Sequence, residues 1–427
     1  MANAALETSG TPPTAPETAG APGAPDAPAL AQGRAVLRRL ARNRIALWGL
    51  YAVIGLVLVA TGAPLFALNQ PFYWNVGHGA EFPWLRALFN RLLFENSVDI
   101  LFNLLLVTVP LAALALAVRR RLYPSWSAAR VVGRYFALLG ILFLASSVSS
   151  VGSWENPLHF TEKVVNYRLE RERLIGEGHP PLAWFPPLPY SYRETSPTRS
   201  LEPPNRTHWL GTDTEGRDVF CRMLYGTRIS LTIGVVAVAI YVSIGVALGA
   251  LAGYFGGWVD LLVSRLIEVM ITFPSFFLIL TLAALIEQRS IFHVMLIIGL
   301  TRWTGVARLV RAEFLRQKSL DYVQAALAMG FRPARVIFLH ILPNAIAPAL
   351  VSATFGIASA ILIESSLSFL GVGDLSVASW GETLNTGRVQ QKLWLVLAPG
   401  AAIFFVVTVF NLLGEGIRDA LDPKLRV

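Results

Sequence analysis

Gly211, Thr212, Asp213, Gly216, Arg217 and Asp218 lie at the spacing of a phosphate-binding loop. In such a loop two glycines let backbone N–H groups close around phosphate oxygens, and the Lys and Ser or Thr that follow contact the outer phosphates and magnesium. Here Arg217 stands at the Lys position and Asp218 at the hydroxyl position, while Asp213, Glu215 and Asp218 would repel a triphosphate. No ATP or magnesium is expected to bind in this segment. It reads instead as a turn-rich cap leading into an interfacial helix over residues 217–230.

Other residues with reactive chemistry are sparse. A single cysteine, Cys221, excludes an internal disulfide, and the six histidines form no cluster with it at zinc-site spacing. No histidine is followed by Glu and no Gly-x-Ser-x-Gly elbow occurs, so neither a zinc protease helix nor a hydrolase nucleophile is present. The expectation is a chain with no catalytic residue, no metal and no cofactor of its own. Two charges remain, Arg302 and Glu364, each inside an apolar run. A charge near mid-membrane costs about 2.5 to 3.5 kcal/mol on insertion scales and faces protein or water. They are expected to approach one another or to line a cavity; the alternative is that they snorkel to the outer headgroups.

The elements that must position these residues follow from composition. The chain has 427 residues, 54% hydrophobic and 15% charged, with a mean hydropathy of +0.54. That is more apolar surface than one soluble core requires, and it indicates an all-α polytopic membrane protein. The net charge of +9 is then an excess of Lys and Arg in cytoplasmic loops, not a nucleic-acid footprint. The lipid bilayer is the expected surrounding and nucleic acid is not a partner.

Residues 1–33 are rich in Ala, Pro, Gly and Thr and read as a disordered cytoplasmic tail. Residues 34–68 carry the basic arm Arg34, Arg38, Arg39, Arg42 and Arg44 and a first transmembrane helix from Ile45 to Leu68. Residues 69–204 form an insertion, with a transmembrane hairpin at 98–118 and 131–151 and a long extracytoplasmic loop. The tip of the hairpin holds Arg119, Arg120, Arg121 and Arg130, which places it inside.

Residues 205–427 hold spans near Ile229–Tyr254, Ile267–Leu285, Phe292–Val310, Asn344–Leu370 and Trp394–Leu413. This makes a six-span core, or eight spans with the hairpin, with both the N- and C-termini cytoplasmic. Within it, Asp321–Pro343 is a polar-faced interruption. Leu320, Val323 and Leu327 share a stripe, Ala325, Ala326 and Ala328 surround Gln324, Gly330 suits a helix stop and Pro333 a new first turn. Two short helices joined at a bend are expected. On pattern alone they form either a passive loop on the membrane surface or a docking surface whose exposed alanines let a partner approach.

Four motifs carry a family resemblance: HWLGTDTEGRDVFCRMLYGTRIS at 208–230, LVRAEFLRQKSLDYVQAALAMG at 309–330, HILPNAIAPAL at 340–350 and ILIESSLSFLGVG at 361–373. Over residues 34–68 and about 205–427 the chain resembles the transmembrane permease subunits of ABC importers, of the peptide (dipeptide and oligopeptide) C type. Arg265 with Glu268 is similar to the Yej branch, associated with peptide and microcin C uptake. The resemblance implies a cytoplasmic coupling helix at about 319–343 that docks on ATPase subunits, with Asp321, Ala325, Ala326, Gly330, Leu342 and Pro343 matching by position. Gln324 takes the place of a glutamate, which puts any ion pair there in doubt.

The resemblance also implies partners: a second, B-type permease subunit, two ATPase subunits or one fused ATPase that bind ATP and magnesium, and an extracytoplasmic substrate-binding protein. The location implied is the bacterial cytoplasmic (inner) membrane. Short peptides or peptide-like compounds are the implied substrates, and relatives that carry nickel chelates or glycosides are the alternative. An ion-driven secondary transporter is the competing class, and it would leave uptake insensitive to ATP depletion.

Overall fold

The computed structural model describes residues 40–41, 43–77, 79–122, 128–147, 150–151, 154–155, 164–287, 289–374 and 376–421. The expectations for residues 1–33, for Arg34, Arg38, Arg39 and Arg42, for the side chains at the hairpin tip and for Lys424 and Arg426 lie outside the described residues.

The first helix, α1 (Arg44–Phe66), starts where the Asn43 side chain accepts the N–H groups of Ile45 and Ala46, a cap for two donors that have no helical partner. The insertion follows as β1 (Tyr73–Asn75), α2 (Pro83–Ala87), α3 (Ser97–Leu122), α4 (Ala128–Ser147), β2 (Ser150–Val151), β3 (Trp154–Glu155), α5 (Tyr167–Gly176) and β4 (Leu182–Trp184). Strands β1 and β4 pair antiparallel with Tyr73 opposite Trp184, and β2 pairs with β3. The core is α6 (Val219–Phe255), α7 (Gly257–Thr272), α8 (Ser275–Ala284), α9 (Ile291–Lys318), α10 (Asp321–Ala328), α11 (Pro333–Arg335), a π-turn at Val336–Ile341, α12 (Leu342–Ala345), α13 (Ala347–Phe369), α14 (Trp380–Gln390) and α15 (Leu393–Leu421).

Among the described residues five helices are long and apolar enough to cross a membrane: α1, α3 as far as Val118, α6, α13 and α15. The pair α7 and α8 makes a sixth if taken as one bent span. Trp48, Leu58, Leu262 and Phe404 are exposed large apolar residues on these helices, as a hydrocarbon surrounding requires and water would penalise. The chain is an all-α polytopic membrane protein.

Two expectations are corrected. The segment 217–230 is no interfacial helix but the first turns of α6, a single helix of 37 residues, about 55 Å long at 1.5 Å per residue. An interfacial helix would keep its arginines in water, whereas Arg222 and Arg228 are buried. The helix continues through Gly226, where Trp380 occupies the space a side chain would need, 2.6 Å from the position of a Cβ. Second, the span at 267–285 is broken, with α7 and α8 meeting at 80°. Pro274 lacks an N–H and holds Phe273 in extended backbone (φ −87°, ψ 130°).

Helices α6 and α9 pack at backbone distance. A Cβ on Gly245, Gly249 or Gly253 of α6 would lie 2.6 Å from Val306 Cβ, the Ala307 carbonyl oxygen or Phe314 Cβ of α9, and one on Gly299 of α9 would lie 2.4 Å from Ile240. Helix α1 meets α15 similarly, with Ala46 filling the space above Gly416.

The insertion is anchored to this core by Arg228, which is fully buried on α6. Its Nε donates to the Ala60 carbonyl of α1 at 2.7 Å, Nη1 to Asp99 Oδ1 of α3 at 3.0 Å and Nη2 to Asn103 Oδ1 at 2.9 Å. The guanidinium also sits over the Tyr225 and Phe102 rings, at 4.9 and 5.5 Å. Tyr192, at the end of the insertion, donates its hydroxyl to Asp99 Oδ2 at 3.0 Å. Burial and the neighbouring Asp99 carboxylate push the Tyr192 hydroxyl well above its ordinary pKa, so it remains a donor. Removing Asp99 strands a buried guanidinium. Asp99→Ala is therefore expected to destabilise the protein by about 3 to 5 kcal/mol, lowering the melting temperature of the purified protein, and Asp99→Asn by less. An unchanged melting temperature in Asp99→Ala would contradict this anchor.

Candidate functional site

The stretch expected to dock begins where α9 ends. Leu320 is extended (φ −81°, ψ 147°) and α10 starts at Asp321, whose exposed carboxylate sits in the first turn, where the helix dipole favours negative charge. Eight residues later the helix closes in a Schellman turn. The N–H of Gly330 reaches the Leu327 carbonyl and that of Phe331 the Ala326 carbonyl, with Gly330 at φ +75°. The stop at Gly330 and the restart at Pro333 are those expected, although the second half is α11, the π-turn and α12 in succession.

Helix α10 has two faces. Val323 and Ala326 are 0% and 2% exposed and belong to the main hydrophobic core. Gln324, Ala325, Ala328 and Met329 are exposed. The expectation that Ala326 presents its methyl to a partner is corrected: with residues 3.6 to the turn, positions 323 and 326 share the inward stripe, and Ala326 packs inside its own chain. Ala325 and Gly330 remain outward, as does Pro343, while Leu342 is half-buried.

Gln324 has a specific use. Its Nε2 donates to the Lys318 carbonyl at 2.8 Å, covering one of the last carbonyls of α9. An ionised Glu could not make this bond, because a carboxylate only accepts.

The loop at 211–218 is folded onto its own side chains. Asp213 Oδ1 accepts the N–H groups of Glu215 and Arg217, each at 2.9 Å, and Oδ2 accepts Arg217 Nε at 2.7 Å. Asp218 Oδ1 caps α6 through the Cys221 N–H at 2.8 Å, and Oδ2 pairs with His208 Nδ1 at 2.7 Å. Thr212 is buried, with its hydroxyl donating to the Arg199 carbonyl. Gly211 (φ +75°) and Gly216 (φ +70°) admit no side chain; a Cβ on Gly216 would lie 1.9 Å from the Ser196 carbonyl oxygen. Of the amides that a phosphate loop would offer, those of Glu215 and Arg217 are thus taken by the Asp213 carboxylate and those of Gly211, Thr212, Asp213 and Gly216 by backbone carbonyls.

Glu382 completes this cluster and was not legible in the motif. It pairs with Arg222 and lies 3.8 Å from Arg217, while Arg222 Nε lies 3.7 Å from Asp213. The cluster joins the start of α6 to α14, a helix that hydropathy does not announce.

Arg302 and Glu364 are not brought together. Glu364 is 3% exposed, and its partners are the hydroxyls of Ser379 at 2.7 Å, Ser368 at 2.9 Å and Ser365 at 3.4 Å. Because Ser379 also caps α14 through the Gly381 N–H at 3.1 Å, Glu364 holds the start of α14 against α13. It neither snorkels nor pairs with Arg302, which is half-buried on α9. Thr301, Thr354 and Ser366 donate to carbonyls of their own helices, which satisfies them locally.

Comparison with known proteins agrees with this architecture. Residues 245–427 match the family model described as binding-protein-dependent transport system inner membrane component, and residues 31–80 match the N-terminal TM domain of oligopeptide transport permease C. The dipeptide transport system permease protein DppC of Alkalihalophilus pseudofirmus is 41% identical over 250 residues, covering 57% of this chain and 82% of that protein. The oligopeptide transport system permease protein OppC of Haemophilus influenzae is 38% identical, covering 57% and 79%. The glutathione transport system permease protein GsiD of Pectobacterium atrosepticum is 40% identical, covering 53% and 76%. On these matches, spanning both ends of the permease core, the chain belongs to the family of ABC peptide transport permeases of the C type.

Proposed function

We propose that this chain forms half of the pathway through which short peptides or peptide-like compounds cross a bacterial inner membrane, driven by ATP that partner subunits hydrolyse. The observation that carries this reading is the partition of α10: one face locked into the core by Val323 and Ala326, the other presenting Gln324, Ala325, Ala328 and Met329 to a partner. Small exposed side chains let another protein's surface approach the helix backbone closely.

The proposed assembly pairs this chain with a B-type permease, two ATPase subunits or one fused ATPase, and a binding protein outside. The names of the dipeptide and oligopeptide relatives support peptide cargo. Eight spans are proposed: α1, α3, α4, α6, the bent pair α7–α8, α9, α13 and α15. The apolar part of α4, Val131–Ala145, is about 22 Å long, shorter than a full crossing. Its hairpin with α3 is supported by the contact of the Thr108 and Tyr135 hydroxyls at 3.1 Å and by exposed Leu111, Leu114, Phe136 and Ile141.

Both chain ends are proposed to be cytoplasmic. Asn43 donates to Asp419 at 3.4 Å, so the start of α1 and the end of α15 share one side. Arg311, Arg316, Lys318, Arg332 and Arg335 crowd around α10, in keeping with the positive-inside rule. The divisions at 68, 204 and 205–427 remain the proposed limits of the first span, the insertion and the permease core.

Mechanically, ATP binding would draw the ATPase subunits together, move α10, and tilt the spans between inward-open and outward-open states. This chain contributes docking and transmission, with no bond-making step of its own. Glu364 and Arg302 are proposed to act differently. Glu364 fixes α14 near the outer mouth, and Arg302 is the candidate for a pathway-lining charge.

The purified protein is expected to bring ATPase subunits with it, and peptide uptake to stop on ATP depletion; a complex without ATPase, with uptake insensitive to ATP, would contradict the importer reading. Ala325→Glu is expected to cut uptake by about tenfold or more, the scale of a lost interface hot spot, with normal insertion and melting. Ala326→Asp is expected instead to lower the melting temperature, because it buries a carboxylate within the core. Wild-type uptake in Ala325→Glu would remove the docking assignment.

A further inference from the structure

The joint between α9 and α10 should be weak. Ser319 and Leu320 leave the helix, and Leu320 is extended, so a push on α10 could be absorbed by rotation there instead of reaching the span. On the far side of α10, the π-turn at Val336–Ile341 is also compliant: its wider winding is a local defect in the helix. Pro343 has no N–H to return to the Leu339 carbonyl one turn back. An element driven from outside needs something across the first joint.

A run of side-chain bonds crosses it. Glu313 Oε1 accepts from Gln317 Nε2 at 2.8 Å and is also paired with Arg316. Gln317, buried on the last turn of α9, uses its Oε1 to accept the Tyr322 hydroxyl at 2.7 Å. That hydroxyl lies 3.4 Å from the His340 carbonyl, which accepts Asn344 Nδ2 at 2.9 Å. Tyr322 stands on the first turn of α10, so its ring and hydroxyl bridge the extended Leu320 and touch the π-turn as well. A phenol has one proton, and the shorter contact commits it to Gln317.

We propose that Tyr322 and Gln317 are positioning residues that brace the docking helix against α9, turning the Ser319–Leu320 joint from a hinge into a stiff connection. This inference rests on α10 being the surface that receives the ATPase, and it adds the step by which the received motion enters the membrane span. Glu313 orients the Gln317 amide so that its oxygen, not its nitrogen, faces Tyr322. The amide is thereby used at both ends, as donor to Glu313 and acceptor from Tyr322. Neither side chain need touch ATP, the transported molecule or the ATPase for this role.

The test uses the full complex of both permeases, ATPase subunits and binding protein in proteoliposomes, reading peptide uptake and ATP hydrolysis together. Tyr322→Phe keeps the ring and removes only the proton. Uptake per ATP hydrolysed is expected to fall about fivefold, the scale of one lost hydrogen bond, with ATPase retention and hydrolysis rate unchanged. Gln317→Leu should give the same loss, and the double variant should be no worse than either single, since both remove one interaction. A wild-type ratio in Tyr322→Phe, or additive losses in the double variant, would overturn the brace. Loss of the ATPase from Tyr322→Phe would overturn it too, because the hydroxyl would then act in docking. If the unsubstituted complex itself retains no ATPase, it is the docking reading that has failed.

Discussion

The close seam between α6 and α9 is the constraint on which the rest of the structure depends. Glycines at every fourth position, Gly245, Gly249 and Gly253, let the α9 backbone and side chains occupy space that any Cβ would need, and Gly299 returns the favour from the other side. Helices in lipid gain little from apolar burial, so their association relies on such close van der Waals packing. Once α6 and α9 are fixed to each other, the start of α6 and the end of α9 become opposite ends of one stiff unit. The acid–base cluster sits at the first end and the docking helix at the second.

Burial of charge organises the half of the bundle where α6 begins. Arg228 gathers carbonyl, carboxylate, amide and aromatic partners from α1, α3 and α6. The cluster of Asp213, Arg217, Arg222 and Glu382 ties the start of α6 to α14. Such groups are costly to leave unpaired in a low dielectric, so each tolerates few alternative geometries. They fix where the insertion and α14 sit, and Glu364 with Ser379 adds a second pin to α14. The insertion is therefore built into the permease core through Asp99 and Tyr192 and is not a loosely tethered loop.

Much of this was legible in the residues. Hydropathy found where the long helices lie but not how far they run, missing the start of α6 and the ends of α9 and α15 by eight to ten residues, while Gly330 and Pro333 announced the break after α10. The carboxylates in 211–218 were read as groups that would repel a phosphate; that Asp213 folds back on the N–H groups of Glu215 and Arg217 was not legible from their charge. What failed did so where tertiary contacts decide. Nothing local separates an interfacial helix at 217–230 from the buried start of α6, because burial of Arg222 and Arg228 depends on Glu382 and Asp99, distant in sequence. The bend at Pro274 lies inside a run that is apolar enough for hydropathy to continue across it, despite Thr272 and Ser275 beside the break. Ala326 and Ala325 are identical in type, and only the inward stripe set by Val323 distinguishes core from surface.

The central claim is that the outward face of α10 is where an ATPase subunit seats. Site-directed crosslinking from Ala325→Cys in the assembled, functioning complex tests it most directly. The account predicts a crosslinked product of this chain with the ATPase whose yield changes between nucleotide-free and ATP-bound states, and none from a cysteine at Leu182 in the insertion. An Ala325→Cys complex that transports peptide yet yields no ATPase crosslink in either state, with reagents of short and long reach, would contradict it.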